Sequence, residues 1–237
     1  MAVSVLLANN IAFSTPWSFD GGGTPDAIAY AHAVQATSGA IDISTITVTG
    51  STTGSATLAG GGVSVIKQFA GLANDIMAYI FYVTNATLSG FSGNITASVT
   101  YTSTTTTQDS CVAYALGVGS QHAVLDTSGG VSTSSAADPW AENTLTVAAG
   151  SVQLASYGGD TTSTGISVGN GTPASFTERR DVGITLVRFY SGDYAYAAGG
   201  SRGMIVSLAA ADTGAIIVVS FKEGALSSGI SIAWIKA

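Results

Sequence analysis

Two histidines, one cysteine and fourteen acidic residues are the side chains in this 237-residue chain that could do nucleophilic, acid–base or metal chemistry. His32 and His122 stand ninety positions apart. Neither has a Cys or carboxylate at ligand spacing, so a zinc site is not supported. His32 falls on an apolar strand face and reads as a satisfied core or interface histidine. Cys111 alternates with Ala113 and Ala115 and reads as a buried structural thiol, since free Cys packs as a small hydrophobe. A nucleophilic role would need a base beside it, and the two histidines are the only imidazoles. With one cysteine no intramolecular disulfide can form.

Asp20-Gly21-Gly22-Gly23 and Asp126-Thr127-Ser128-Gly129-Gly130 could offer oxygens to calcium. Neither has the run of acidic residues that a calcium loop uses, so both read as turn chemistry. Ser and Thr are abundant, but no Gly-x-Ser-x-Gly elbow is present. Gly199-Gly200-Ser201-Arg202-Gly203 precedes no helix, which argues against a phosphate cradle. Paired carboxylates for glycoside cleavage would have to come from distant strands. Trp17, Trp140, Tyr157, Tyr190, Tyr194 and Tyr196 lie nearest the expected loops. They are candidates to stack on a sugar or anchor a partner, against edge-of-core packing as the plainer reading. Asn85, Asn94 and Asn170 match glycosylation sequons, which matter only in a eukaryotic secretory pathway. No catalytic, cofactor-binding or metal-binding residue is assigned, and no cofactor is expected.

The elements that would position these groups are strands. Residues 94–102 alternate: Ile95, Ala97, Val99 and Tyr101 point one way, with Thr96, Ser98, Thr100 and Thr102 opposite. Residues 76–83 are apolar on both faces, with Ile80 and Tyr82 against Met77, Tyr79 and Phe81. That suits a strand covered on both sides or a short buried helix. Residues 89–94 supply turn chemistry between the two. Residues 3–7 read as a first strand or arm, 28–34 as a strand, and 41–48 as a strand whose apolar face switches after Ile43, as a bulge would produce. Residues 111–118 and 216–221 are further apolar strands. Residues 126–138 read as a long surface connection, and Leu145–Val147 with residues 152–157 as a hairpin. Gly192 and Asp193 read as a turn. Ile230, Ile232 and Trp234 alternate in a last strand. Turn signals recur every eight to twelve residues or so, the pattern of a sandwich or barrel.

Only 9% of residues are charged, against about 25% in ordinary globular domains. Gly, Ser, Thr and Ala give a hydroxyl-rich surface. The net charge is −7, and the one basic pair, Arg179-Arg180, is flanked by Glu178 and Asp181. Nucleic-acid binding wants a clustered basic face, so DNA or RNA is not an expected partner. The first residues lack the basic region of a signal peptide, and no apolar run reaches membrane-spanning length. The chain is expected to be made in a host cytoplasm, with no membrane partner.

Four stretches carry a resemblance to a known family: IAYAHAV (28–34), GGVSVIKQF (61–69), IFYVTNATLSGFSGNITASVTYT (80–102) and TLTVAAGSVQLASY (144–157). A late apolar strand ending in Phe221-Lys222 follows them. In this order they resemble a β-sandwich family that recurs in phage virion proteins and bacterial surface proteins, across roughly residues 28–222. The resemblance implies a hairpin at 80–102, a structural or adhesive role, and no activity.

The expectations are therefore an all-β, antiparallel, jelly-roll-like sandwich with long Gly/Ser/Thr-rich loops. Residues 1–18 form an N-terminal strand or arm and 19–237 a single sandwich domain, with no repeat of fixed period. The expected function is that of a non-enzymatic structural protein on a virion exterior: a capsid decoration or cement protein, or another head or tail protein. The alternative is a carbohydrate-binding adhesin or tail-fibre module. Expected partners are other virion proteins, copies of the same chain in a trimer or array, and in the alternative a host surface glycan.

Overall fold

Residues 76–83, apolar on both faces, fold as a strand (β6, Ile76–Thr84), and every residue before Thr84 is buried. The computed structural model describes residues 3–11, 26–71, 75–105, 111–117, 122–137, 140–159, 166–169, 176–184, 187–208 and 212–224. The other strands of the first half are β1 (Ser4–Ile11), β2 (Ala27–Gln35), β3 (Ile43–Gly50), β4 (Ser55–Thr57), β5 (Ser64–Ala70), β7 (Ile95–Tyr101) and β8 (Cys111–Gly117). Those of the second half are β9 (His122–Ala137), β10 (Trp140–Val147), β11 (Val152–Gly159), β12 (Ile166–Gly169), β13 (Thr177–Ile184), β14 (Val187–Ala195), β15 (Gly200–Leu208) and β16 (Asp212–Gly224). One helical turn, α1 (Asn85–Leu88), follows β6. The protein is all-β, and every described strand pairing is antiparallel.

The strands form four sheets: β1-β8-β2-β6-β5, β4-β3-β7, β13-β14-β11-β16-β9 and β10-β15-β12. The two five-stranded sheets lie face to face, with β1 against β13, β2 against β11, β6 against β16 and β5 against β9. Each three-stranded sheet covers the outer face of its own large sheet, as the two outer apolar clusters show. The result is a stack of four layers. β6 illustrates why its sequence has no polar face. Ile76, Ala78, Ile80 and Tyr82 enter the central layer between the halves. Met77, Tyr79, Phe81 and Val83 enter the layer beneath β3 and β7. A strand buried on both sides reads as a continuous apolar run.

The two large sheets share most of their strand order although the sequence does not repeat; the middle strand is the second of its half in one and the third in the other. From one edge, the large sheets read β1-β8-β2-β6-β5 and β9-β16-β11-β14-β13. In each, the first strand of the half neighbours its last. The two sheets are laid on each other in opposite directions, so β1 meets β13 at one edge and β5 meets β9 at the other. The central strands β2 and β11 face each other across this layer. That seam is built of small side chains: Ala27, Ala29, Ala31 and Ala33 of β2 all enter the central layer. On β11, Ser156 donates to the His32 carbonyl at 3.0 Å. A Cβ on Gly158 would sit 2.5 Å from that of Ala33. Large rings flank the seam, as where Tyr82 of β6 meets Phe221 of β16 edge-on at 5.2 Å.

Several expectations change. Residues 80–102 are not a hairpin. β6 and β7 lie in different sheets, joined by α1 and a turn, because the apolar face of β7 (Ile95, Ala97) covers the Met77/Tyr79/Phe81 face from above. The 144–157 segment is likewise a crossover: β11, buried along its length, takes the centre of a large sheet while β10 joins the outer one. Residues 126–137 lie within the sixteen-residue strand β9, not in a surface connection. Its partner β16 is apolar on both faces and needs its outer backbone groups paired. Ser, Thr and Gly supply those groups as well as any residue. Gly192 and Asp193 are inside β14 rather than in a turn. The bulge after Ile43 is present, since Ile43 pairs Tyr101 and Thr45 pairs Thr100, leaving Ser44 extra. β1, the expected strand or arm, pairs with β8. The expected strand at 230–236 lies outside the described residues.

Candidate functional site

Cross-strand register places Lys67 of β5 opposite Tyr79 of β6, and Tyr79 opposite His32 of β2. This polar row lies on the face covered by β3 and β7, where Tyr79 packs in the outer cluster. Tyr101, at the end of β7, reaches down to it. The Tyr79 and Tyr101 hydroxyls are 2.6 Å apart. His32 Nδ1 lies 3.2 Å from the first and 3.5 Å from the second. His32 is 1% exposed, with the Tyr79 and Phe189 rings set edge-on to its imidazole.

At the open end of this row Lys67 pairs with Asp42, the residue just before β3, and its ammonium lies 5.4 Å from the Phe69 ring centroid. Asp42 is fixed from both sides. Its carboxylate accepts the Ile43 N–H at 2.6 Å, and its own N–H donates to Thr102 Oγ1 at 2.9 Å. A cleft of about 290 Å³ opens here, lined by Ala40, Ile41, Asp42, Phe69 and Thr102. Chemically it offers an aromatic wall with a carboxylate and a hydroxyl at the rim. That combination can hold a small polar ligand by stacking and hydrogen bonding.

The sequence candidates are placed elsewhere. The Asp126 carboxylate accepts the Ala148 N–H at 2.7 Å and pairs with Lys222 at 2.8 Å, so its oxygens are committed to the fold. Tyr157 and Tyr190 are core residues, 0% and 1% exposed. Burial pushes the Tyr190 phenol well above its ordinary range. Tyr196 is buried and donates to Gln153 Oε1 at 2.9 Å, while Arg202 lies 5.5 Å from its ring. Tyr194 alone of these four tyrosines is half-buried, packed edge-on against Tyr196 at 4.7 Å. Arg179 makes two bonds to Asp193, one of 3.1 Å, and that carboxylate raises the guanidinium pKa. Gly200–Leu208 is a strand, so no helix follows the Gly199-Gly200 pair. Asp20 and Trp17 lie outside the described residues, as do the side chains of Cys111, His122 and Trp140. Among the described residues no three His, Cys, Asp or Glu side chains are grouped to hold a metal. No described helix is long and apolar enough to cross a membrane.

Sequence reasoning missed the Lys67–Asp42 pair and the two tyrosines over His32. Alternation put His32 on the Tyr30 face, but only the register between non-neighbouring strands brings Lys67, Tyr79 and Tyr101 to it. No family model, curated protein or solved structure matches the chain.

Proposed function

We propose that the chain is a non-enzymatic structural protein of a phage virion, a capsid decoration or cement protein or another exterior head or tail protein. One observation carries this reading: the charge is spent on holding strands together. Four of the seven basic residues are tied to carboxylates between strands or beside them, in Lys67–Asp42, Arg179–Asp193, Arg188–Asp181 and Lys222–Asp126. A fifth, Arg202, lies against Tyr196. A protein whose few cations are built into its sheets, under a hydroxyl-rich exterior, suits a rigid shell component rather than a reactive site. The second half also reads as a jelly roll. In the second half the orders β9-β16-β11-β14 and β10-β15-β12 place first beside last and third beside sixth, with second, seventh and fourth opposite. Such double-sheet rolls recur in capsid and lectin domains. Mass spectrometry of washed, purified particles tests the reading: peptides of this chain at stoichiometric level are expected, and their absence overturns it.

The second reading, a glycan-binding module, draws on the Phe69 cleft with Asp42 and Thr102 at its rim. It draws little from the loop aromatics, since Tyr157, Tyr190 and Tyr196 are buried. A glycan array read on the intact chain and on Phe69→Ala separates the two.

A further inference from the structure

The cleft at Phe69 has a size, a fixed rim and a charge balance that together point to one kind of ligand. Its volume of about 290 Å³ is at the lower end for small-molecule sites, room for one six-membered ring and its substituents rather than for a chain of them. Floor and wall are apolar. Ile41 is buried, and Phe69 of β5 packs partly buried against the outer cluster. Ala40 and Thr102 stand exposed at the rim, and the Asp42 side chain is 45% exposed.

The rim is held in place by bonds between residues 40–42 and 102–103. The Thr102 N–H donates to the Asp42 carbonyl at 2.9 Å, the Asp42 N–H to Thr102 Oγ1 at 2.9 Å, and the Ser103 hydroxyl to the Ala40 carbonyl at 2.5 Å. Such preorganisation lowers the cost of binding. Asp42 Oδ1 takes both the Ile43 N–H and the Lys67 ammonium. Oδ2 accepts no hydrogen bond among the described residues. The Thr102 hydroxyl gives its proton to the Asp42 carbonyl at 3.3 Å and has one lone pair left after accepting from the Asp42 N–H. The side-chain oxygens at the rim therefore offer two acceptors, which suits a ligand that brings O–H donors. Lys67 neutralises the carboxylate, so an added cation gains little. An anion would meet acceptor oxygens.

We propose that the cleft holds one neutral pyranose, with a C–H face stacked on Phe69 and neighbouring ring hydroxyls donating to Asp42 Oδ2 and Thr102 Oγ1. A pyranose has apolar faces and a hydroxyl edge, as this cleft has an apolar wall and an acceptor rim. The inference rests on the glycan-binding reading and names its ligand.

The test uses the full chain, with methyl glucoside, galactoside and mannoside as probes and N-acetylneuraminate and glucosamine as charged comparisons. Saturation-transfer NMR should show at least one neutral pyranoside bound through its ring C–H protons. Its Kd should lie in about the millimolar range that a dozen or so non-hydrogen atoms allow. Phe69→Ala should weaken binding about tenfold. Ala40→Trp, which fills the cleft from an exposed position, should abolish it and serves if Phe69→Ala alters the melting temperature. The absence of transfer to every neutral pyranoside overturns the inference, as does binding that survives both variants. A glycan array signal unchanged by Ala40→Trp would leave the chain a glycan binder at another site, and this site would fall. Cleft binding confined to N-acetylneuraminate or glucosamine would keep a sugar site and overturn the neutral ligand.

Discussion

Tyr114 of β8 and Ser191 of β14 share a hydrogen bond of 2.7 Å across the layer where the two halves meet. Both are fully buried. The bond joins a strand of one large sheet to a strand of the other, seventy-seven positions apart in sequence. Together with the Ser156 bond to the His32 carbonyl, it gives direction to an otherwise apolar interface. Apolar contact alone would let two such sheets slide.

Replacing Tyr114 by Phe should keep the ring and strand the Ser191 hydroxyl. A buried group left without its partner costs about 1–3 kcal/mol. Urea melts should show that loss with an unchanged m-value; a loss under about 0.3 kcal/mol would mean Ser191 finds another partner.

The same phenol makes stability sensitive to alkali. Burial raises the Tyr114 pKa from its ordinary 10.0, with the Ser191 bond opposing and the Asp193 charge adding to the rise. A folded pKa above the unfolded one gives stability that is full below about pH 10 and falls as pH rises past it. Between about pH 9 and pH 11 the wild type should lose stability more steeply than Tyr114→Phe. Parallel curves for the two proteins would show that Tyr114 does not control the transition.

The Ala33–Gly158 seam predicts a coupled pair. A methyl on Gly158 meets the Ala33 Cβ at 2.5 Å, so Gly158→Ala should overpack the central layer and cost about 1–3 kcal/mol. Adding Ala33→Gly should return a measurable part of it, because the clash is removed. Residues in contact couple by roughly 0.5–3 kcal/mol in such a cycle. Purely additive losses would place the strain elsewhere.

Strands were legible here wherever one face or both were committed to a core. β7 shows clean alternation, β6 and β16 show unbroken apolar runs, and the Ile43 bulge shows a switched face. Sheet membership was not legible. The 80–102 and 144–157 segments carry the alternation of hairpins, yet each crosses between layers, because burial on both faces draws β6 and β11 to interior positions of large sheets. β9 was hidden for another reason. Its Ser, Thr and Gly residues pair their backbone with β16, a use that composition alone marks as loop. Gly130 fits that use, since a Cβ there would meet the Ile216 carbonyl oxygen at 2.6 Å. The cluster at His32 needed register across three strands, which no local pattern contains.

Asp126 was a calcium candidate, and its two protein partners predict a different behaviour. Calcium should leave the melting temperature of the intact chain unchanged. Asp126→Ala should destabilise it by about 1–3 kcal/mol, by releasing the Ala148 N–H and the Lys222 ammonium together. A calcium-dependent rise in melting temperature that disappears in the variant would restore the metal reading.

β1 supplies the last prediction. It pairs with β8 from Ser4 to Ile11, and Val3, 1% exposed, enters the central layer. The Val3 N–H also donates to the Gly150 carbonyl at 2.8 Å, so the start of the chain is pinned to the turn before β11 in the second half. Removing residues 1–15 would strip β8 of its outer partner and open the layer that both halves share. The truncated chain is therefore expected to lose cooperative folding, seen as a flat thermal melt and rapid proteolysis. Val3→Ala, a milder change, should cost about 2 kcal/mol by the area and cavity it leaves. If instead the truncated chain melts like the wild type and has lost only self-association, the segment acts as an arm, and β8 tolerates an open edge.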